Sequence, residues 1–211
     1  MSDTNNPDLN PVNSMRPKRA HIFEKADDLF YIEPQWCSTR LFETEKFTYP
    51  VTDPFCGTGR VAEAARLTGC YSVWATDIVD RGYERFNGVE DFLSLKRLED
   101  DESIVGNPPF DDRFLQHAIS LNPIKMALIW PLVRVVAAHE WLSTAPLARI
   151  LMLTPRPPMP PGSYIAAGRK PEGARVEHCW LIFERGHRGP ARIGWLHRDF
   201  DVAVQNDRGA A

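Results

Sequence analysis

The sequence predicts an α/β fold, a mostly parallel sheet with helices on both faces. Three features carry that prediction: short β-branched apolar runs alternate with amphipathic segments, glycine- and proline-bearing turns punctuate them, and no internal repeat or second domain interrupts the series. The stretch "YPVTDPF" is a short strand that enters the glycine turn "CGTG". The helix "RVAEAARLTG" follows, with Val61, Ala64, Ala65 and Leu67 on one face and a stop near Gly69. A second strand is "YSVWATDI", "GYERFNGVEDFL" holds a short third, and "ESIVGNPP" is a fourth that ends in a proline turn. The segment "DRFLQHAISL" is helical by period, "IKMALIWPL" is a strand, "RVVAAHEWLST" a helix, "ARILMLT" a strand, and "EHCWLIFER" the last clear strand. Residues 154–173 form the one long irregular stretch, of a length that in a compact domain is functional or disordered. Residues 1–18, rich in Asn, Pro, Asp and Ser, read as a disordered tail, 19–200 as a single domain, and 201–211 as a C-terminal tail.

Composition bounds the function. The 211 residues, 43% hydrophobic and 25% charged, suit one core. The longest apolar run, "MALIWPLVRVVAA", is broken by Pro131 and Arg134 and is too short for a membrane span, and the polar start is not a signal peptide; the expectation is a cytoplasmic protein without a membrane partner. The four cysteines lie far apart with no C-x-x-C pair, which points to buried thiols and neither zinc nor a disulfide framework. A formal net charge of −3 means that a nucleic-acid partner needs a local basic patch. Arginine and lysine do concentrate late in the chain, although a solvated surface with a charge gradient gives the same pattern.

The glycine turn, with Gly57 and Gly59, has no third glycine at dinucleotide spacing and no Lys-Ser or Lys-Thr, so it is neither a G-x-G-x-x-G turn nor a P-loop. Asp53 stands just before it, and Asp77 ends the next strand, where an acid takes the hydroxyls of a ribose. A ribose-bearing ligand with a carboxylate and an amine fits: the helix N-terminus faces the carboxylate and Asp53 the ammonium. S-adenosylmethionine has those groups, and tight helix-sheet packing is the plainer account of the same glycines. The second motif, "GNPPF", follows the strand "SIV" and so reaches the same crevice. Pro108 and Pro109 remove two N–H donors and leave the Asn107 side-chain carbonyl and the Pro108 backbone carbonyl as acceptors for an amine, with Phe110 to stack on its planar carrier. A helix start capped by Asn107 would look the same in isolation.

"DPFCGTG" followed by "NPPF" resembles the amino-methyltransferases of the class I S-adenosylmethionine fold, above all compact, phage-type N6-adenine DNA methyltransferases. The resemblance runs over about residues 27 to 185. It implies a Rossmann-like, mostly parallel seven-stranded sheet with an antiparallel last strand, here "EHCWLIFERG". It implies methyl transfer at Asn107, Pro108, Pro109 and Phe110, with S-adenosylmethionine held by Asp53, Phe55, Gly57, Gly59, Asp77 and Ile78. The segment "DLFYIEP" resembles the one that folds over the methionine part of the cofactor, which brings in Tyr31 and Pro34, though Glu33 stands where threonine is commoner. "VEDFL" resembles the reader of the cofactor adenine, with Asp91 on its amino group and Phe92 in its pocket. No metal is implied.

The chain departs from the resemblance in having no room for an added target-recognition domain. The loop 154–173 is the expected substitute, with Arg156, Tyr164, Arg169 and Lys170 suited to phosphate contact and base stacking. DNA is the first expected substrate and RNA the second, with a partner or oligomer left open for target recognition. Protein-glutamine and RNA-base methyltransferases use the same turn, and a silent cofactor-fold subunit and a nicotinamide dehydrogenase stay as further alternatives.

Overall fold

The computed structural model describes residues 30–199 except 71 and 172; the expected tails 1–18 and 201–211 lie outside the described residues. Helix α1 (Gln35–Thr44) precedes β1 (Val51–Asp53), α2 (Arg60–Leu67), β2 (Val73–Asp77) and β3 (Gly88–Val89). A short 3-10 helix, Phe92–Ser94, leads to β4 (Ser103–Gly106), α3 (Asp112–Ser120) and β5 (Lys125–Pro131). Then come α4 (Leu132–Ala137), α5 (His139–Leu142), β6 (Leu147–Thr154), α6 (Gly162–Ala166), β7 (His178–Glu184) and β8 (Arg192–His197).

The strands form one sheet in the order β3-β2-β1-β4-β5-β7-β6-β8. Every pairing is parallel except the two made by β7. The expected mostly parallel sheet with an antiparallel β7 is present, and an eighth strand extends it beside β6. That strand buries Leu196 on one face and leaves Ile193 and Trp195 exposed on the other. The helix expected over 132–142 is broken in two at Ala138, which leaves the helical ψ range.

Burial on both faces explains why the central strands read as nearly continuous apolar runs. Along β5, Met126, Leu128 and Trp130 join Leu115, Ala118 and Leu142 in one core, whereas Ala127 and Ile129 join Cys37, Leu41, Val61 and Ala65 in the other. All four cysteines are buried free thiols. At the sheet edge where β5 begins, buried Glu45 holds Lys125 at 2.6 Å and Arg149 at 2.6 Å, and Glu184 closes the group. Among the described residues no helix is long and apolar enough to cross a membrane.

Trp180 on β7 is fully buried, and its Nε1 donates to the Cys37 carbonyl at 3.0 Å, which ties α1 to the sheet. Trp180→Ala therefore leaves a cavity and an unpaired carbonyl, and we expect a loss of about 3–5 kcal/mol in urea denaturation.

Candidate functional site

Strands β1 and β4 lie side by side in parallel register, Val51 opposite Ser103 and Thr52 opposite Ile104, and the sheet order reverses between them. Both turns of interest therefore leave the same edge at adjacent points, where ligands of such sheets sit. A cavity of about 250 Å³ opens there, lined among others by Phe55, Gly57, Asp77, Phe92 and Asn107.

The segment 30–34 crosses this edge as a strap. Ile32 donates its N–H to the Pro160 carbonyl, and Gly162 donates to the Phe30 carbonyl, each at 3.0 Å, so the strap is tied to the loop after β6. The Phe30 ring is wedged between two glycines: a Cβ at Gly57 would stand 2.5 Å from it and one at Gly162 only 2.1 Å. The Arg81 guanidinium covers the ring at 3.8 Å. Gly59, with φ of +87°, lies under the Tyr83 ring, 2.3 Å from where its Cβ would be.

These contacts bear on why the turn needs Gly57 and Gly59. The glycines admit aromatic rings, and much of the turn's N–H capacity is spent inside the protein. Cys56 N donates to the Thr76 carbonyl at 3.0 Å, Gly57 N to Asp77 Oδ2 at 2.9 Å, and Gly59 N to the Cys56 carbonyl at 2.6 Å. Asp77 Oδ1 accepts from Val79 N at 3.2 Å, and each carboxylate oxygen keeps a further lone pair toward the cavity it lines.

Asn107 is held from the strap. Its Nδ2 donates to the Tyr31 carbonyl at 3.1 Å and to Glu33 Oε2 at 2.8 Å, which uses both amide hydrogens. Its Oδ1 accepts no hydrogen bond among the described residues. Asn107 is not a helix cap; Asp111 caps α3, accepting from Arg113 N. Pro108 is buried, Pro109 lines the cavity, and Phe110, half-buried and beside the lining residues, packs on Trp130, edge-on at 5.8 Å, and on His178 at 5.5 Å.

Of the other expected residues, Tyr31, Phe55, Ile78, Asp91 and Phe92 line the cavity. Ile78 is exposed at 62%, a free apolar face at its rim, while Phe92 is buried edge-on against Phe55 at 4.7 Å. Asp91 also accepts from Leu93 N to cap the 3-10 helix. Pro34 ends the strap at the start of α1, outside the cavity wall. Asp53 is fully buried behind that wall; Oδ1 accepts from Phe55 N at 3.3 Å, and Oδ2 has no hydrogen-bond partner among the described residues. Burial and the Glu33 charge push its carboxyl well above the ordinary range, with the Phe55 and Ala62 N–H groups pulling the other way.

In the loop, Arg156 is paired with Glu177 at 2.5 Å, and Arg169 stacks on Tyr164 at 4.0 Å. The Tyr164 hydroxyl donates to the Lys170 carbonyl. These four residues are outside the cavity, on the loop that holds the strap. Sequence reasoning missed Phe30, Arg60 and Arg81, which line the cavity, and the bond from Glu33 to Asn107. Arg60 directly follows the glycine turn, and Phe30 and Glu33 lie within "DLFYIEP", so position alone marked them.

No protein-family model matches the chain, and no curated protein matches it by sequence. Solved structures do match. A putative RNA methyltransferase from Pyrococcus horikoshii aligns with a TM-score of 0.55 at 16% identity, over 77% of this chain and 92% of that one. The M protein of the type I restriction enzyme EcoKI aligns with a TM-score of 0.50 at 14% identity, over 82% of this chain and 49% of that one. The likeness is one of fold: the chain has the Rossmann-like architecture of these methyltransferases.

Asp53 yields a test independent of any reaction. A carboxyl whose pKa is raised by folding favours the folded state below its unfolded value, near 3.8, and that contribution is lost as pH rises through the folded value. Asp53→Asn should therefore melt higher than the parent at mildly alkaline pH, by roughly 2–4 °C for each kcal/mol relieved, with the gain shrinking toward the acid side in thermal melts.

Proposed function

We propose that the chain is an S-adenosylmethionine-dependent methyltransferase that acts on an exocyclic amine, the 6-amino group of adenine in DNA. The observation that carries this reading is Asn107: both of its amide hydrogens are engaged by the strap, and the one group left to meet a ligand at the cavity is an acceptor, Oδ1.

The residues present fit the cofactor. Asp77 offers lone pairs to ribose hydroxyls, Asp91 is an acceptor for an adenine amino group, and Ile78 and Phe92 are apolar surfaces for its ring. Asp53, just behind the cavity wall, keeps an unpartnered buried oxygen, a group that native structures reserve for a partner, and a nearby ammonium would both fill it and favour its ionised form. Arg60, on the cavity wall at the start of α2, suits the carboxylate. When bound, S-adenosylmethionine supplies an electrophilic methyl group on a sulfonium.

The protein's own part is to prepare the amine. An amine conjugated with an aromatic ring is a poor nucleophile, and two acceptors aimed at its hydrogens draw its lone pair out of that conjugation. Asn107 Oδ1 and the Pro108 carbonyl are those acceptors, with no strong general base required because the proton leaves after transfer. Phe110, backed by Trp130 and His178, is the stacking surface for the base. A duplex adenine reaches them only after being flipped out of the stack. Lys170 and the Arg169–Tyr164 pair, on the loop beside the strap, suit the phosphate backbone.

A second reading, transfer to an RNA base, is favoured by the net charge of −3 and by the engagement of Arg156 with Glu177, which takes one cation of the loop out of phosphate contact.

Tritium transfer from labelled S-adenosylmethionine to separate pools of duplex DNA, single-stranded DNA, RNA and protein tests both. We expect label in DNA that chromatographs as 6-methyladenine, and a fall in turnover of roughly 10²–10³-fold in Asn107→Ala, the scale for loss of one preorganised dipole. Label confined to RNA moves the substrate and keeps the mechanism. An Asn107→Ala variant as fast as the parent overturns the mechanism.

A further inference from the structure

An asparagine amide presents nearly the same shape in either orientation, so the groups around it decide whether it shows oxygen or nitrogen to a ligand. At Asn107 only one orientation helps: an N–H₂ aimed at the substrate amine would set donor against donor. The Tyr31 carbonyl accepts from Nδ2 at 3.1 Å and, like any backbone carbonyl, has no alternative role. The second partner, Glu33 Oε2 at 2.8 Å, is purely an acceptor while the carboxylate is ionised and gains a donor when it is protonated.

We propose that Glu33 is a positioning residue that fixes the Asn107 amide with its oxygen turned away from the strap, toward the reacting amine. This rests on the methyltransferase reading given above. Glu33 is 4% exposed, and a buried carboxylate needs partners to justify its place. The groups that face it are Arg60 from the start of α2, Cys37 and Ser38 from α1, and Asp53 from β1, besides Asn107 itself. Only Arg60 among them is a cation.

The arrangement makes the amide a reporter of one proton. Burial raises the Glu33 carboxyl above its ordinary value of 4.5, while its own backbone N–H, Asn107 and the Arg60 charge oppose the shift. Once protonated, Glu33 carries an O–H beside its remaining carbonyl oxygen and can meet Asn107 with either. The orientation is then held by the Tyr31 carbonyl alone, and an O–H from Glu33 competes for Oδ1, which loosens the acceptor that the amine needs. Methyl transfer should therefore rise with pH as Glu33 ionises, along an acid limb displaced above the usual carboxylate range.

Two readouts on the full-length protein test this. In ¹⁵N-labelled protein, the side-chain amide pair that disappears in Asn107→Ala should shift in a single step across acid to neutral pH, and Glu33→Gln should abolish the step. In turnover, Glu33→Gln, which keeps a carbonyl for Nδ2, should lose the acid limb and a few-fold of rate. Glu33→Leu should lose at least ~10-fold in kcat at every pH, with cofactor affinity within about threefold of the parent, the pattern of a group that acts on the transition state and not on ground-state binding. Thermal melts report whether Glu33→Leu is folded, and Glu33→Gln carries the test if it is not.

An amide pair that does not titrate in the parent, a step that survives Glu33→Gln but vanishes in Asp53→Asn, or an acid limb unchanged in Glu33→Gln overturns the inference. A clean amide step in a parent that methylates nothing upholds the orientation and overturns the methyltransferase reading. Methyl transfer with no amide step does the reverse.

Discussion

The parallel pairing of β1 with β4 is the contact on which the rest of the site depends. Chain segments wind outward from this pair in both directions, so the turns after the two strands emerge together with no crossover between them. One turn carries the glycines and the bond from Gly57 to Asp77, the other carries Asn107. A slip of one residue in this register would exchange the faces of β4 and carry Asn107 out of reach of the strap. The apolar cores on either side of the sheet exist, in this sense, to hold two turns a few ångströms apart.

Electrostatics divides the molecule into two unlike ends. Where β5 begins, the buried carboxylate of Glu45 is met by two cations, and the charges are settled within the fold. At the other edge Glu33, Asp53 and Asp77 are all buried, and both Glu33 and Asp77 raise the Asp53 carboxyl further. Such a group is costly to bury without compensation. Local unfavourable energy concentrated at one edge of an otherwise well-satisfied sheet is what a ligand-binding edge requires, because the missing compensation is what a cationic group can bring.

Much of this was legible in the sequence because it is periodic or local. Strands buried on both faces read as apolar runs, α2 and α3 as amphipathic helices, and the two turns as glycine and proline punctuation. The eighth strand was not legible: "RIGWLH" has a glycine in its middle and buries one face only, so it resembles a polar tail. For Gly57 and Gly59 the sequence left close packing and a ligand both open, and the partners of that packing were hidden. Their need for a bare Cα comes from Phe30 and Tyr83, rings brought in from other parts of the chain, and no local pattern records that meeting. Glu33 looked like a departure from a familiar segment; its bond to Asn107 joins positions 74 apart and exists only once the strap has crossed the sheet edge.

The loop between β6 and β7 is divided in its tolerance of change. Its first half is committed: Pro160 and Gly162 hydrogen-bond the strap, and Phe30 fills the space that any side chain at 162 would need. Beyond α6 the residues 168–171 are exposed and take no part in that join. Added length is accommodated where few backbone bonds are at stake. Chain inserted after Gly168 would leave both backbone bonds between loop and strap in place, so this loop can lengthen without opening the edge of the cavity.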